Sequence, residues 1–361
     1  MVYRVYKIMA IVVVSLLGLT NCSRQAEKKT IQDNTKSDNV SSDNSSTLIV
    51  NSSVPKFQNK VSVWITYWET AGIEEEWNAW KSYSKQINYF AAYFKEDGNL
   101  FVPDTIEETK KSIEELSETE QLPTYLTIVN DQEKADGTSS LKDTKLLYSL
   151  FKSEKTMKKH SSEIIELAID GGYDGIEIDY EAIRNDWTLW KKYMRFLEIL
   201  VKQAEECNLS IRVLLEPSIK VDKITFTEGI EYIMMCYNLY GSGTKAGPKA
   251  DKDFLISMIK KMKKVSKKRG YAIATGGFDF ASDGKVTALT IVEAKDLQLA
   301  KGKNIYRDKD SKSMVFTYTK GGIKHEVWYA DEETVQYLVE VLEKKGEKNI
   351  SIWRLGGTIY K

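Results

Sequence analysis

The chain of 361 residues is poor in the side chains on which most metal and redox chemistry depends. It has two histidines and three cysteines, Cys22, Cys207 and Cys236, and none of them stands at a metal-ligand spacing. Neither a zinc site nor any cofactor is expected. Cys207 closes a helical pattern and Cys236 lies in an apolar strand pattern, so both read as structural thiols rather than a disulfide. An excess of charge of either sign is also missing: Lys plus Arg and Asp plus Glu are 52 each, which gives no reason to expect nucleic acid as a partner. The apolar run Ile8–Leu19, preceded by Arg4 and Lys7, has the length of a signal-peptide core and is too short to span a bilayer. Residues 23–56 have almost no large apolar side chains and are rich in Ser, Asn, Asp, Lys and Thr; such a stretch cannot bury enough surface to fold and reads as a tether. What the chain does have is aromatic surface, with 20 Tyr and 8 Trp. A large core would use many of these rings, and a cleft that stacks on sugar rings would use others.

The most informative stretch is Tyr173-Asp-Gly-Ile-Glu-Ile-Asp-Tyr-Glu181. It alternates with period two, as a strand does, so Ile176, Ile178 and Tyr180 face one way and Glu177, Asp179 and Glu181 the other. Helical patterns on both sides, 144–168 and 187–206, argue for βαβ units and a parallel sheet covered on both faces. Carboxylates inside such a sheet are costly unless protonated, paired or used in chemistry. A solvated sheet face or a divalent-metal site would also tolerate them.

Strand patterns recur at Val61–Tyr67, Ile87–Phe94, Thr124–Val129, Tyr173–Glu181, Leu209–Leu215, Tyr232–Asn238, Tyr271–Gly276 and Asn349–Trp353. Helical patterns lie between them at Ile73–Ser84, Ile106–Leu116, Thr144–Ala168, Trp187–Glu206, Asp253–Lys267 and Glu333–Lys345. The fifth connection, Ile219 to Gly229, is weakly patterned, and few residues follow the last strand. The expectation is an α/β chain over 57–361 with a (β/α)8 TIM barrel, its site at the C-terminal strand ends. The seventh connection, about 277–330, is too long for a loop. Two alternating runs about Gly321-Gly322 predict a hairpin within it, so it reads as a small α+β insertion between strands 7 and 8.

Taken together, these segments resemble glycoside hydrolase family 18, the chitinase-like barrels. Asp174-Gly175-Ile176-Glu177-Ile178-Asp179-Tyr180-Glu181 matches that family's fourth-strand motif at all but one position. Met235-Cys236-Tyr237-Asn238 is similar to its sixth-strand motif, and Ile352-Trp353-Arg354-Leu355-Gly356-Gly357 to its eighth-strand tryptophan segment. The hairpin and Tyr329-Ala330-Asp331 are similar to the insertion of the spore-germination and cortex-lytic branch. Glu177 stands where the family has Asp, Asn238 stands in place of an acid, and Thr127-Ile128-Val129-Asn130 lacks the Ser-x-Gly-Gly of typical chitinases. These differences weigh against a processive chitinase more than against hydrolysis. Leu19-Thr20-Asn21-Cys22 resembles a bacterial lipobox, which implies residues 1–22 as a lipoprotein signal and a lipid-anchored protein on the outer face of a bacterial membrane.

The resemblance implies a retaining glycosidase, expected as a monomer, that cleaves β-linked N-acetylglucosamine in peptidoglycan, chitin or an N-glycan core. In that family the substrate's own N-acetyl group is the nucleophile. Glu181 is then the acid and base, Asp179 orients the acetamido group, and Glu177 shares a proton with Asp179. Tyr237 donates to the acetamido oxygen with Asn238 supporting it as a neutral amide, Trp353 forms the floor under the sugar ring and Met235 is a further substrate-binding candidate, unless Trp353 and Met235 are barrel core. Tyr67 and Asp331 are further cleft candidates. Glu216, just past the fifth strand, is the rival for an enzymic nucleophile. The alternative is a sugar-binding protein of the same fold with little or no turnover; members without turnover usually lack the last Glu, and Glu181 is present. Too few histidines make a metal-dependent hydrolase the weakest reading.

Overall fold

The structure, a computed structural model, describes residues 54–117 and 121–359. The expected signal run, Cys22 and all of the tether before residue 54 lie outside the described residues. Strands β1 (Val61–Thr66), β2 (Ser84–Lys95), β3 (Thr124–Glu133), β4 (Gly175–Asp179), β5 (Ser210–Leu215), β6 (Glu231–Met235), β7 (Arg269–Ala274) and β8 (Ile350–Trp353) each pair in parallel with the next. β8 returns to β1, with Ser62 opposite Ser351, and closes the expected barrel. β1 reads Val-Ser-Val-Trp-Ile-Thr and is buried at every position, because a strand covered by helices outside and filled within has no wet face. At Gly175 a Cβ would come within 2.4 Å of the Tyr125 ring and 2.8 Å of the Ser210 carbonyl oxygen, so glycine lets β4 settle between its neighbours.

Helices α1 (Ile73–Trp80), α2 (Asp104–Glu115), α3 (Thr144–Leu150), α4 (Glu154–Asp170), α5 (Trp187–Glu206), α6 (Lys252–Met262), α7 (Ile291–Lys301) and α8 (Glu332–Glu343) complete the described residues, α7 within the insertion. The helix expected over Thr144–Ala168 is two helices. Ser153 starts α4 with a capping box: its hydroxyl accepts the Thr156 N–H at 3.2 Å, and Thr156 Oγ1 accepts the Ser153 N–H at 3.0 Å. Between β5 and β6 a 3-10 turn, Val221–Lys223, stands in place of a helix. Cys207 at the end of α5 is exposed and Cys236 is buried, both as free thiols.

The insertion is an antiparallel sheet in the spatial order Val286–Leu289, Gly276–Ala281, Ile323–Ala330, Met314–Lys320, Lys303–Arg307, with α7 against it. The expected hairpin turns at Gly321 and Gly322, with φ of 57° and 81°, conformations that glycine adopts without strain. Between barrel and helices lies the main apolar core. Inside the barrel a smaller cluster of Trp64, Leu214, Ile233, Met235 and Ala272 sits under the cleft.

Candidate active site

β4 positions the site. Ile176, Ile178 and Tyr180 join the outer core, where the Tyr180 hydroxyl meets His160 Nε2 of α4 at 2.7 Å. Glu177 and Asp179 therefore point into the barrel, as the alternation predicts, and Glu181 follows at its mouth. Exposure rises along the row: Glu177 is 0% exposed, Asp179 5%, and the Glu181 side chain 16%.

Glu177 is held as part of the barrel interior. Its Oε1 accepts the Trp64 indole N–H at 2.6 Å and the Thr127 hydroxyl at 2.8 Å, and its Oε2 lies 3.1 Å from Arg212 Nε. Arg212 is itself 1% exposed; it lies 3.4 Å from Glu231 Oε2 and donates to Ser351 Oγ at 3.1 Å. Burial pushes the Glu177 carboxyl up, while the Arg212 charge and the Trp64 and Thr127 donors pull it down. That donor set fits a carboxylate, and Glu177 makes no hydrogen bond to Asp179 among the described residues. The expected sharing of a proton between them is replaced by a pairing with Arg212. The extra methylene of Glu, relative to Asp, gives the carboxylate more reach across the barrel.

Asp179 is different. Its Oδ1 is buried without a hydrogen-bond partner among the described residues. Burial pushes its carboxyl well above the usual range; the Glu181 charge adds to this, Lys142 opposes it, and Glu177 and Asp131 add again. Glu181 is raised as well, by burial first, with Lys142 opposing and Glu216 and Asp131 reinforcing. Tyr237 faces this group, and burial followed by the charges of Asp179, Glu181 and Glu177 holds its phenol well above the ordinary range.

The backbone at Glu181 is clamped. Asn130 Oδ1 accepts the Glu181 N–H at 2.9 Å and Asn130 Nδ2 donates to the Glu181 carbonyl at 3.2 Å. Ala182 has φ of 63°, a strained region for alanine, and its N–H donates to Glu216 Oε2 at 2.9 Å. Glu216 thus supports the turn that presents Glu181.

Tyr67, Trp68, Phe90, Ala91, Tyr93, Val129 and Leu141 line a trough of about 110 Å³ whose polar end is Asp131, Gln132, Glu133 and Ser139. Asp131 links it to the carboxylates, since its charge bears on both Asp179 and Glu181. Trp353 packs edge-on against Trp64 at 5.8 Å and Phe90 at 4.8 Å, half-buried over the inner cluster, so core and cleft floor are both its role. The peptide bonds Phe90–Ala91 and Trp353–Arg354 are cis. Met235 is 5% exposed and belongs to the packing beneath. Asn238 is exposed, with φ of 59°, and makes no hydrogen bond to the carboxylates among the described residues.

Asp331 has another task. It caps α8, accepting the Thr334 N–H at 3.0 Å and hydroxyl at 2.8 Å, and takes a two-pronged pair from Arg307 at 2.9 and 2.7 Å. Its carboxylate is already engaged in these bonds, which corrects the expectation of a cleft residue.

Sequence reasoning missed Lys142, whose Nζ lies 2.5 Å from Glu181 Oε1, together with Asn130, Asp131 and Arg212. It also missed Lys249, which burial and then the Arg354 charge push down to about 7 and which donates to the Thr275 carbonyl at 2.9 Å. Arg212 left a signal: one charged side chain in the apolar strand Ser-Ile-Arg-Val-Leu-Leu. Asn130 and Asp131 lie on the polar end of β3, and Lys142 and Lys249 on loops, none with a local pattern.

No family model matches the chain. An uncharacterized glycosylase of Bacillus subtilis (strain 168), YvbX, is 26% identical over 230 residues, 58% of this chain and 65% of that protein. The chain therefore spans less than two thirds of the curated relative that it matches. Among solved structures, the Bacillus cereus spore cortex-lytic enzyme SleL superposes with a TM-score of 0.68 at 17% identity, covering 83% of this chain and 71% of that one. A class V chitinase from Pseudomonas fluorescens Pf-5 superposes with a TM-score of 0.69 at 16% identity, covering 83% and 96%. The fold is that of the chitinase-like barrels. The resemblance drawn from the fourth, sixth and eighth strands is borne out in architecture, and in this chitinase-like barrel the acidic motif lies on the strand where the resemblance placed it.

Proposed function

We propose that this protein is a retaining glycoside hydrolase that cleaves polymers of β-linked N-acetylglucosamine by substrate-assisted catalysis. The observation that carries the reading is Asp179 and Glu181, on the inner face of β4 and just past its end: burial raises both carboxyls, the Glu181 charge raises Asp179 further, and Asp131, which lines the aromatic trough, bears on both. Conventional glycosidases need carboxylates on opposite sides of the scissile bond, roughly 5 to 9 Å apart. Glu216, the rival carboxylate, is engaged in holding the Ala182 N–H of the turn after Glu181. The nucleophile is then the substrate's acetamido oxygen. Asp179 orients that group, Tyr237 and the half-buried Trp353 border the same sugar, and Glu181 gives its proton to the leaving oxygen and afterwards takes one from water. The similarity to a glycosylase, a cortex-lytic enzyme and a chitinase supports the class of reaction. The test is to incubate wild type and Glu181→Gln with chitin oligomers and peptidoglycan and read products by mass spectrometry. Wild type cleaves and the variant binds without cleaving; equal rates for the two refute the assignment.

A second reading, a sugar-binding protein without turnover, has one observation in its favour. Lys142 against Glu181 Oε1 pulls the acid toward its ionised form while that contact lasts. Binding without cleavage of any N-acetylated polymer would decide for it. As for location, we propose lipid anchoring at Cys22 on the outer face of a bacterial membrane; Cys22→Ser then releases or misprocesses the protein.

A further inference from the structure

Lys142 is built into the site. Its backbone lies in the left-handed region, with φ of 54°, and its N–H donates to Asp131 Oδ1 at 2.7 Å. The next residue, Asp143, donates its N–H to the Asn130 carbonyl at 2.8 Å, and the Asn130 side chain clamps Glu181. One frame therefore holds the ammonium and the carboxylate together at 2.5 Å. The Lys142 side chain is nonetheless 49% exposed, against 16% for Glu181, so the ammonium can swing toward solvent while the carboxylate stays.

The groups facing it are acidic: Asp131 from β3, Asp179 and Glu181 from β4 and its end, and Glu216 beyond β5; the Tyr237 phenol beyond β6 faces the same carboxylates. An anionic ligand entering this field is repelled unless it finds the ammonium. While the ammonium rests on Glu181 at 2.5 Å, it favours the carboxylate over the protonated acid that a leaving oxygen requires. A neutral glycan offers Lys142 only hydroxyls in exchange for a charged partner. A carboxylate on the glycan replaces the lost ion pair with another of the same kind.

We propose that Lys142 is a specificity-determining residue that reads a carboxylate on the polymer, so that the preferred substrate is an N-acetylated amino-sugar chain in which a sugar beside the scissile bond carries an acidic substituent. This rests on the glycosidase reading above. When the acidic sugar draws Lys142 away, Glu181 takes a proton from water. That proton passes to the glycosidic oxygen as its bond to the anomeric carbon breaks, and the acetamido oxygen bonds to that carbon.

The experiment compares the full chain and Lys142→Met on two tetrasaccharides of equal length. One is a neutral N-acetylglucosamine oligomer; the other bears lactyl-ether carboxylates on alternate N-acetylated sugars. Wild type should favour the acidic oligomer in kcat/KM by tenfold or more. Lys142→Met should lose that preference, chiefly through loss on the acidic oligomer, and Lys142→Arg should restore part of it. The alkaline limb of the neutral-oligomer profile should move to higher pH in Lys142→Met, because no ammonium then holds Glu181 down. A preference retained without Lys142, a wild type that prefers the neutral oligomer, or an unmoved alkaline limb would overturn the proposal. If wild type cleaves neither oligomer, the glycosidase reading fails, and calorimetric affinities decide the role of Lys142 separately. Tighter wild-type binding of the acidic oligomer that vanishes in Lys142→Met supports it, and equal affinities refute it.

Discussion

Replacing Arg212 by Met should be among the most damaging single changes outside the cleft. The guanidinium is 1% exposed and its carbon lies 5.6 Å from the Trp64 ring and 5.9 Å from the Tyr125 ring, positions a methionine side chain can partly fill. What Met cannot supply is charge. Glu177, 0% exposed, would keep only its Trp64 and Thr127 donors. Breaking a buried pair by removing one partner costs about 3–5 kcal/mol. At roughly 2–4 °C per kcal/mol for a large domain, Tm should fall on the order of 10 °C. The pH dependence distinguishes lost charge from lost packing. Burial already raises the Glu177 carboxyl in the wild type, and loss of the Arg212 charge raises it further, so the variant's folded state holds a proton over a wider pH range than the unfolded chain does. The penalty is then smallest near pH 4–5 and grows as pH rises through the folded value. Combining Arg212→Met with Glu177→Gln removes the stranded charge and keeps an acceptor for Trp64 and Thr127, so most of the loss should return. Urea unfolding followed by tryptophan fluorescence at pH 5 and 7.5 measures all four forms. An Arg212→Met protein within about 1 kcal/mol of wild type at pH 7.5, or a penalty equal at both pH values, would refute the pairing argument.

Three further outcomes are expected. On the proposed role of Asp179 in orienting the acetamido group, Asp179→Asn should lower kcat by about a hundredfold or more and change KM far less, since such a contact tightens in the transition state; steady-state kinetics on chitin oligomers would show the reverse if Asp179 only binds. His160 is held neutral, pushed down to about 3 by burial and then by Lys159, so below its unfolded value near 6.5 the unfolded chain takes a proton that the fold refuses. Stability should therefore fall by about 1.4 kcal/mol per pH unit between 6.5 and 3, and His160→Phe should flatten that slope in Tm against pH while costing about 1–3 kcal/mol at neutral pH through the unpaired Tyr180 hydroxyl. Glu76→Ala should loosen residues 356–358, because Glu76 accepts the Gly356, Gly357 and Thr358 N–H groups and the Thr358 hydroxyl; a loss of about 3 kcal/mol and faster amide exchange there are expected, and unchanged exchange would count against it.

The barrel was legible because buried parallel strands and amphipathic helices leave periodic marks, and Glu177, Asp179 and Glu181 were legible because carboxylates interrupt one of those strands. The α3–α4 break was harder to see, since the buried Phe151 carries the apolar period across it. Ser153 with Thr156 was the available signal. β3 runs on to Glu133 through Asn130, Asp131 and Gln132, polar residues that hide a strand whose end pairs with Ser139 and Ser140. Asp331 was misread because it follows the hairpin that marked the insertion, although an Asp three residues before a Thr at a helix start is a capping pattern. Lys142 was beyond reach, since its partner lies 39 residues on and only the folded rim joins them.

The way β8 closes the barrel has a consequence for how the molecule folds. This four-residue strand enters between β1 and β7, so the first strand of the described chain waits for the last. Such a contact forms against the loop entropy of nearly the entire chain, so barrel closure should be a late and slow event. Until it happens β1 and β7 are edges, and a chain stopped before Ile350 keeps them so. Open apolar edges recruit other strands. A nick or stop a dozen residues from the end should therefore yield an aggregating protein rather than a weakened one.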